Sequence, residues 1–278
     1  MGKIIWLASF PKSGNTWLRA FLHNLLLNPD KPVYINDLNT FCVGESARGH
    51  YERFLAGPWP EWTDSQVAEA RPKVHKALTG LSPDNVFVKT HCALALDHGH
   101  PTVNLEETAG AIYIVRNPLD VTVSVTHHMD MTIDQAMVAM ANPDGRTTTK
   151  EKFVTEPRGS WSNHVGSWTA RPHSTLLVVR YEDMLGKPDE TFGRVVRFLG
   201  LDPPPARVKN AIAMSSFDVL QAQERRWGFV ERGDRTDMFF REGRAGQWKD
   251  VLGRDQVAQI VAAQREQMAR FGYIPQGF

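Results

Sequence analysis

Four short apolar runs, residues 4–10, 85–90, 111–115 and 175–180, most constrain how this chain can fold. Each is rich in β-branched or aromatic residues and lacks polar alternation, so each reads as a strand covered on both faces. Strands of that kind belong to parallel sheets, whose crossovers are usually helical. Helical periodicity does fall between and after them. Residues 16–27 carry Trp17, Ala20, Phe21 and Leu25 on one face, and residues 190–199 are stopped by Gly200 and then Pro203, Pro204 and Pro205. Residues 256–271 place Val257, Ile260, Val261, Gln264, Met268 and Phe271 near one face, with Asp255 as N-cap and Gly272 beyond the end. This order predicts an α/β fold: a central parallel sheet flanked by helices on both faces. No repeat, low-complexity tract or Gly/Ser-rich linker divides the 278 residues, so the expectation is one domain over 1–278.

Three segments resist the pattern and read as loops or lids: 28–84, 127–160 and 223–249. The first contains Gly57-Pro58-Trp59-Pro60-Glu61-Trp62, and the second two histidines, several methionines and a polar tract over 142–150. The third mixes Arg225, Arg226, Arg232, Arg235, Arg241 and Arg244 with Trp227, Phe229, Phe239, Phe240 and Trp248. Basic residues among aromatics suit a cover over an anionic, ring-bearing ligand.

Charge and cysteine usage narrow the class. Lys plus Arg (32) against Asp plus Glu (31) gives a formal net charge of +1, so there is no basic surplus for a nucleic-acid partner and any anion site is local. Cys42 and Cys92 are the only cysteines, too few for a disulfide framework, which fits a reducing cytoplasm. After Met1-Gly2-Lys3 the apolar run stops at Pro11-Lys12, short for a signal peptide, and Trp6 stands where a myristoylation motif needs Ser or Thr. No run of about 18 apolar residues exists to span a membrane, and the expectation is a soluble protein.

The strongest local signal is Ser9-Phe10-Pro11-Lys12-Ser13-Gly14-Asn15-Thr16-Trp17, a tight turn between an apolar strand and an amphipathic helix. A helix start presents unpaired N–H groups and the positive end of a dipole, so phosphate can sit there with Lys12, Ser13 and Thr16 adding donors. It is not a Walker A loop, because Lys12 precedes Gly14 and Thr16 is followed by Trp17. Taken alone, the segment equally suits a helix cap with a solvated lysine. Two further strands end in related chemistry. Phe87-Val88-Lys89-Thr90-His91 puts a cation and a base where ligands collect in doubly wound sheets, outside the strands' carboxyl ends. Tyr113-Ile114-Val115-Arg116 leads through Asn117-Pro118 into a helix bearing Ser124 about two turns on; Arg116 offers a fork to phosphate or, alternatively, a partner to Asp120. Near the end, Arg241-Glu242-Gly243 through Gly246-Gln247-Trp248-Lys249 forms a basic loop whose glycines permit close approach of backbone to phosphate.

Together these segments resemble the family of cytosolic-type sulfotransferases that use 3′-phosphoadenosine 5′-phosphosulfate (PAPS). Pro11 through Trp17 is similar to that family's 5′-phosphosulfate loop, Arg116 through Ser124 to its 3′-phosphate strand and helix, and Lys89-Thr90-His91 to its catalytic segment. Arg241 through Lys249 resembles its C-terminal Arg-x-Gly-x-x-Gly-x-Trp-Lys motif, and Gly159 to Val165 with Trp168, then Arg180 to Met184, stand in the expected order. The chain departs at Asn15, which replaces a small hydroxyl residue, at Glu242, which replaces a cation and weakens contact with the 3′-phosphate, and at Cys92-Ala93, which replaces Leu-Pro. The dimerisation motif of the animal enzymes is not found after Lys249, which leaves oligomeric state open.

The resemblance implies a P-loop-like nucleotide-binding architecture and sulfuryl transfer from PAPS to a hydroxyl or amine of a small-molecule or lipid acceptor, leaving 3′-phosphoadenosine 5′-phosphate (PAP), with no metal. It implies catalytic roles for His91 as general base, Lys12 on the leaving phosphate and Lys89 on the sulfuryl oxygens. It implies a cofactor site of Lys12, Ser13, Gly14, Asn15, Thr16 and Trp17 with Arg116, Ser124, Arg241, Glu242 and Gly243, and of Tyr181, Ser215 and Phe217 near adenosine. Residues 28–84 and 127–160 then wall the acceptor pocket, where Phe41, Trp59 and Trp62 either stack on the acceptor or belong to the core. Two alternatives use the same architecture: a nucleotide-dependent kinase, against which the missing Walker A lysine counts, and a non-catalytic nucleotide-binding module.

Overall fold

The computed structural model describes residues 2–233 and 236–278. Met1 of the amino-terminal reading and Arg235 of the basic lid lie outside the described residues. In chain order the elements are β1 (Ile4–Ser9), α1 (Asn15–Leu27), α2 (Leu38–Phe41), β2 (Val43–Gly44), α3 (Asp64–Leu78), β3 (Val86–Thr90), β4 (Leu96–Asp97), β5 (His100–Pro101), β6 (Thr108–Val115), α4 (Pro118–Met129), α5 (Ile133–Ala141), α6 (Trp161–Thr169), β7 (Leu176–Arg180), α7 (Tyr181–Gly186), α8 (Pro188–Phe198), α9 (Pro205–Met214), α10 (Phe217–Trp227) and α11 (Arg254–Arg270).

The four apolar runs become β1, β3, β6 and β7, and with β2 they form one sheet in the order β2-β3-β1-β6-β7, every pairing parallel. The pleat divides each strand between two cores. Ile4, Trp6 and Ala8 of β1 join residues of α3, α4, α6 and α11 on one face, whereas Leu7 joins Leu18, Phe21 and Leu22 of α1 and Phe192 of α8 on the other. Burying a side chain of that size contributes roughly 1.5–3 kcal/mol, which explains why these runs tolerate no polar alternation. Strand β1 lies between β3 and β6, so the chain leaves it in opposite directions and a crevice opens beyond its carboxyl end.

The three apparent loop segments hold more helix than their patterns predict. Within 28–84, a capping box of Thr63 and Gln66 starts α3, which carries Pro72 inside it. Its inward face contains ionisable groups, Arg71 and His75, which break the apolar period of a buried helix face. Arg71 is fully buried, 3.5 Å from both Glu45 and Asp97, and its Nη2 donates to Thr155 O at 2.6 Å. Within 127–160, a second capping box of Thr132 and Gln135 opens α5. Helix α10 runs on to Trp227, and the aromatics beyond it fold inward: Phe239 lies 5.0 Å from both Phe229 and Phe240. No helix among the described residues is long and apolar enough to cross a membrane.

Candidate active site

The turn after β1 is built around two left-handed residues, Lys12 (φ 64) and Gly14 (φ 105). A β-carbon at Gly14 would lie 2.7 Å from the Tyr181 ring, so only glycine fits under that aromatic cover. Lys12 has no such exemption and holds its conformation at a cost of about 1 kcal/mol, which the surroundings enforce. Its ammonium sits 3.4 Å from the Phe239 ring centroid, beneath the lid. Burial, with the nearby Arg116 charge, brings the Lys12 pKa down to about 7.

The loop leaves donors without partners inside the fold. Ser13 is buried and its hydroxyl has no partner, and the same is true of Trp17 Nε1 and Arg116 Nε. Buried polar groups are normally satisfied, so a cluster of donors beside a helix start fits a phosphate-bearing ligand. Asn15 behaves differently: its side-chain amide donates to Leu7 O at 2.8 Å, back onto the strand. Thr16 Oγ1 accepts from Arg19 Nη2 at 3.3 Å.

At the end of β3, His91 Nδ1 lies 2.7 Å from Ser9 O. A carbonyl can only accept, so the proton is on Nδ1 and Nε2 keeps its lone pair. Burial and the Lys89 charge hold the imidazole down at about 4, neutral at ordinary pH. The segment after it is fixed by a relay: Tyr113 donates its hydroxyl proton to His164 Nδ1 at 2.8 Å, and His164 Nε2 donates to His91 O at 3.1 Å. Trp168 Nε1 donates to Cys92 O at 3.0 Å, which fixes the position following His91.

The third strand end joins the first. Arg116 is buried, its guanidinium 4.2 Å from the Tyr181 ring centroid, with Nη1 donating to Lys12 O at 2.9 Å and Nη2 to Arg244 O at 3.4 Å. Asp120 is not its partner. That carboxylate accepts from the main-chain N–H of Gly246 at 2.7 Å and of Trp248 at 3.1 Å, docking the C-terminal loop onto the start of α4. In the loop, Arg241 Nη1 donates to Glu242 and its Nη2 to Gln247 Oε1 at 2.5 Å, while Arg244 Nε donates to the other Glu242 oxygen at 2.7 Å. Gly243 (φ 61) carries the Phe217 ring directly against its Cα, where any side chain would collide.

Most of the expected residues therefore converge. Lys12, Gly14, Arg116 and Tyr181 touch one another, Trp17 meets Tyr181 at 6.0 Å, and His91 closes on Ser9. Two stand apart. The Ser215 hydroxyl is buried and donates to Ala211 O at 2.8 Å within its own helix end, and Ser124 is half-buried on α4 without a contact to the others. Of the aromatics, Trp62 is buried and donates to the carbonyls of Ala56 and Gly57 at 3.2 Å, whereas Phe41 is half-buried, stacks on His23 at 4.7 Å and lines a cavity with it and Tyr34. Residues absent from the sequence reading also enter. Glu231 binds Arg19 and approaches Lys89, and Glu224 accepts from the main-chain N–H of Phe239 at 2.7 Å and Phe240 at 2.8 Å. Among the described residues no group of three or more His, Cys, Asp and Glu side chains is arranged to hold a metal ion.

Comparison with known proteins gives a consistent result. A family model described as a sulfotransferase domain matches residues 3–272. The chain is 27% identical over 261 residues to sulfotransferase 1A1 of Canis lupus familiaris, covering 88% of this chain and 77% of that protein. It is 25% identical over 276 residues to 3-alpha-hydroxysteroid sulfotransferase of Cavia porcellus, covering 97% and 84%. Among solved structures, the fold resembles mouse sulfotransferase SULT7A1 complexed with PAP, with a TM-score of 0.65 at 20% identity, covering 98% of this chain and 90% of that one. It also resembles retinol dehydratase in complex with androsterone and inactive cofactor PAP, with a TM-score of 0.67 at 20% identity, covering 95% and 80%.

Proposed function

The chain belongs to the sulfotransferase family, and we propose that it moves a sulfuryl group from PAPS to a hydroxyl or amine of a small-molecule or lipid acceptor. The observation that carries the reading is the His91–Ser9 contact, which leaves Nε2 of a neutral imidazole free in the field of Lys89, which in turn acts on the buried Lys12 of the loop after β1. When bound, PAPS supplies an activated sulfuryl group joined to a phosphate that leaves.

In this proposal His91 Nε2 accepts the acceptor's proton as the acceptor oxygen or nitrogen attacks, a role typically worth about 10²–10⁴-fold. Lys12 meets the negative charge that grows on the bridging oxygen; its pKa near 7 suits it to give a proton there as well. Lys89 faces the equatorial oxygens. Ser13, Thr16 and the main-chain N–H groups of Gly14, Asn15 and Trp17 hold the 5′-phosphate, with the Asn15 amide reserved for Leu7. Arg116, Ser124, Arg241 and Gly243 hold the 3′-phosphate, against the competition of Glu242 for Arg241. Trp17, Tyr181 and Phe217 frame adenine, and Ser215 borders adenosine with its hydroxyl proton engaged by Ala211 O. The span 1–278 works as one domain, because α11 at its end lies against the core that also holds β1 and α4. A cytoplasmic location belongs to the same proposal, since both cysteines are free buried thiols, as a reducing compartment favours. With a formal net charge of +1, a small acceptor suits the chain better than nucleic acid.

Incubation with radiolabelled PAPS and a mixed acceptor extract, read by mass spectrometry for added sulfate, tests the reading. Labelled product is the expected result. Binding of PAP without transfer to any acceptor reduces the chain to a nucleotide-binding module, and preference for ATP as donor moves it to the kinases.

A further inference from the structure

Arg19 of α1 is completely buried, and a guanidinium in that position requires a counter-charge. Glu231 supplies it from the far end of the chain, with both carboxylate oxygens 2.7 Å from Arg19 Nη2. One of those oxygens is also 3.5 Å from Lys89 Nζ. The segment carrying Glu231 is held from outside the site: Asn36 Oδ1 accepts from Val230 N at 2.8 Å and Asn36 Nδ2 donates to Gly228 O at 3.3 Å. Burial works against the Glu231 charge, but Lys89 and Arg19 outweigh it and keep the carboxyl well below the usual carboxylate range.

We propose that Glu231 is a positioning residue for Lys89, a reading that rests on the assignment of Lys89 as a catalytic cation. Lysine on a strand end has a long flexible stem, and the Lys12 charge repels it. The Glu231 carboxylate offsets that repulsion and fixes the ammonium at the edge of the crevice. Because Arg19 also takes up the carboxylate, the Arg19–Glu231–Lys89 group keeps one net positive charge, so Lys89 is held without being neutralised.

The test compares Glu231→Gln, Lys89→Ala and the double variant, with kcat and KM from labelled PAPS turnover and PAP affinity from calorimetry. Glu231→Gln is expected to lower kcat about tenfold or more, to leave PAP affinity within about threefold, and to add nothing in the Lys89→Ala background. An unchanged kcat, or the same loss in both backgrounds, overturns the proposal. Glu231→Gln leaves Arg19 buried without its counter-charge, so a second variant guards against misfolding. The double change Arg19→Met with Glu231→Leu replaces the pair by apolar groups of similar bulk, a change buried pairs often tolerate. It is expected to fold, by its thermal transition, and still to lose kcat; wild-type kcat in it overturns the proposal. A Lys89→Ala variant at full rate would remove the catalytic assignment together with this inference, whereas a slow Lys89→Ala beside a fast Glu231→Gln removes this inference alone.

Discussion

The imidazole of His91 is tied by Nδ1 to the carbonyl oxygen of Ser9 at 2.7 Å, a contact between the carboxyl ends of two neighbouring parallel strands. The sheet register itself therefore selects the tautomer of His91. His91 is the first residue beyond β3, and a main-chain carbonyl at the end of β1 takes the place a carboxylate fills for many histidines.

His91→Ala is expected to bind PAP near the wild-type level and to lose about 10²–10⁴-fold in turnover, measured with labelled PAPS. Wild-type turnover in that variant would reject His91 as base. The pH profile of kcat/KM carries the same assignment. Activity needs His91 neutral and is lost as pH falls through about 4, and it needs Lys12 charged and is lost as pH rises through about 7. An acid limb at the ordinary histidine value would contradict the burial described above.

Lys12→Met should abolish most turnover and yet stabilise the ligand-free chain. Lys12 is charged in both folded and unfolded states below pH 7, and the folded state alone bears the desolvation cost. Between about 7 and the ordinary 10.5 the unfolded chain holds more protons, so wild-type stability rises with pH and the advantage of Met shrinks. Thermal melting at pH 6 and pH 10 checks both the sign and the trend; a lower melting temperature for Lys12→Met at pH 6 would count against a strained, desolvated lysine.

Gly243→Ala forces a methyl group against the Phe217 ring at a left-handed φ of 61. A loss of about 1–3 kcal/mol in stability is expected, with PAP affinity falling tenfold or more as the ring or the loop shifts. Calorimetry of PAP and a denaturant titration read the two effects. Unaltered affinity would separate this contact from the nucleotide site.

Arg116→Ala and Glu242→Gln are expected to move PAP affinity in opposite directions. Removing Arg116 deletes a buried guanidinium and its bond to Lys12 O, and should weaken PAP about a hundredfold while affecting adenosine 5′-phosphate less. Glu242→Gln releases Arg241 and Arg244 from their internal carboxylate and should tighten PAP several-fold. The pairs are partly exposed, so the change should shrink in high salt. Equal effects on PAP and adenosine 5′-phosphate would show that neither group faces the 3′-phosphate.

The parts of this architecture that sequence reveals are those governed by local rules. β1, β3, β6 and β7 are visible because strands buried on both faces admit no polar alternation, and Lys12, Lys89, His91 and Arg116 are visible because they lie at or just beyond the carboxyl ends of those strands. Strand β2, only Val43–Gly44, is too short to carry a pattern. Helix α3 is obscured because Arg71 and His75 occupy its buried face, a choice made acceptable only by Glu45 and Asp97 from other segments. The Arg19–Glu231 pair joins residues 212 positions apart, and neither residue has local surroundings that announce the other.

Asp120 links helix α4 to Gly246 and Trp248, positions up to 128 residues further along the chain. The proposed nucleotide pocket thus lies on a seam between early and late segments, closed only once the 241–249 loop has docked. A cut within residues 241–249 would leave every strand of the sheet paired but free the loop from its anchor on α4, so a protease that clips here would loosen this seam while sparing the scaffold.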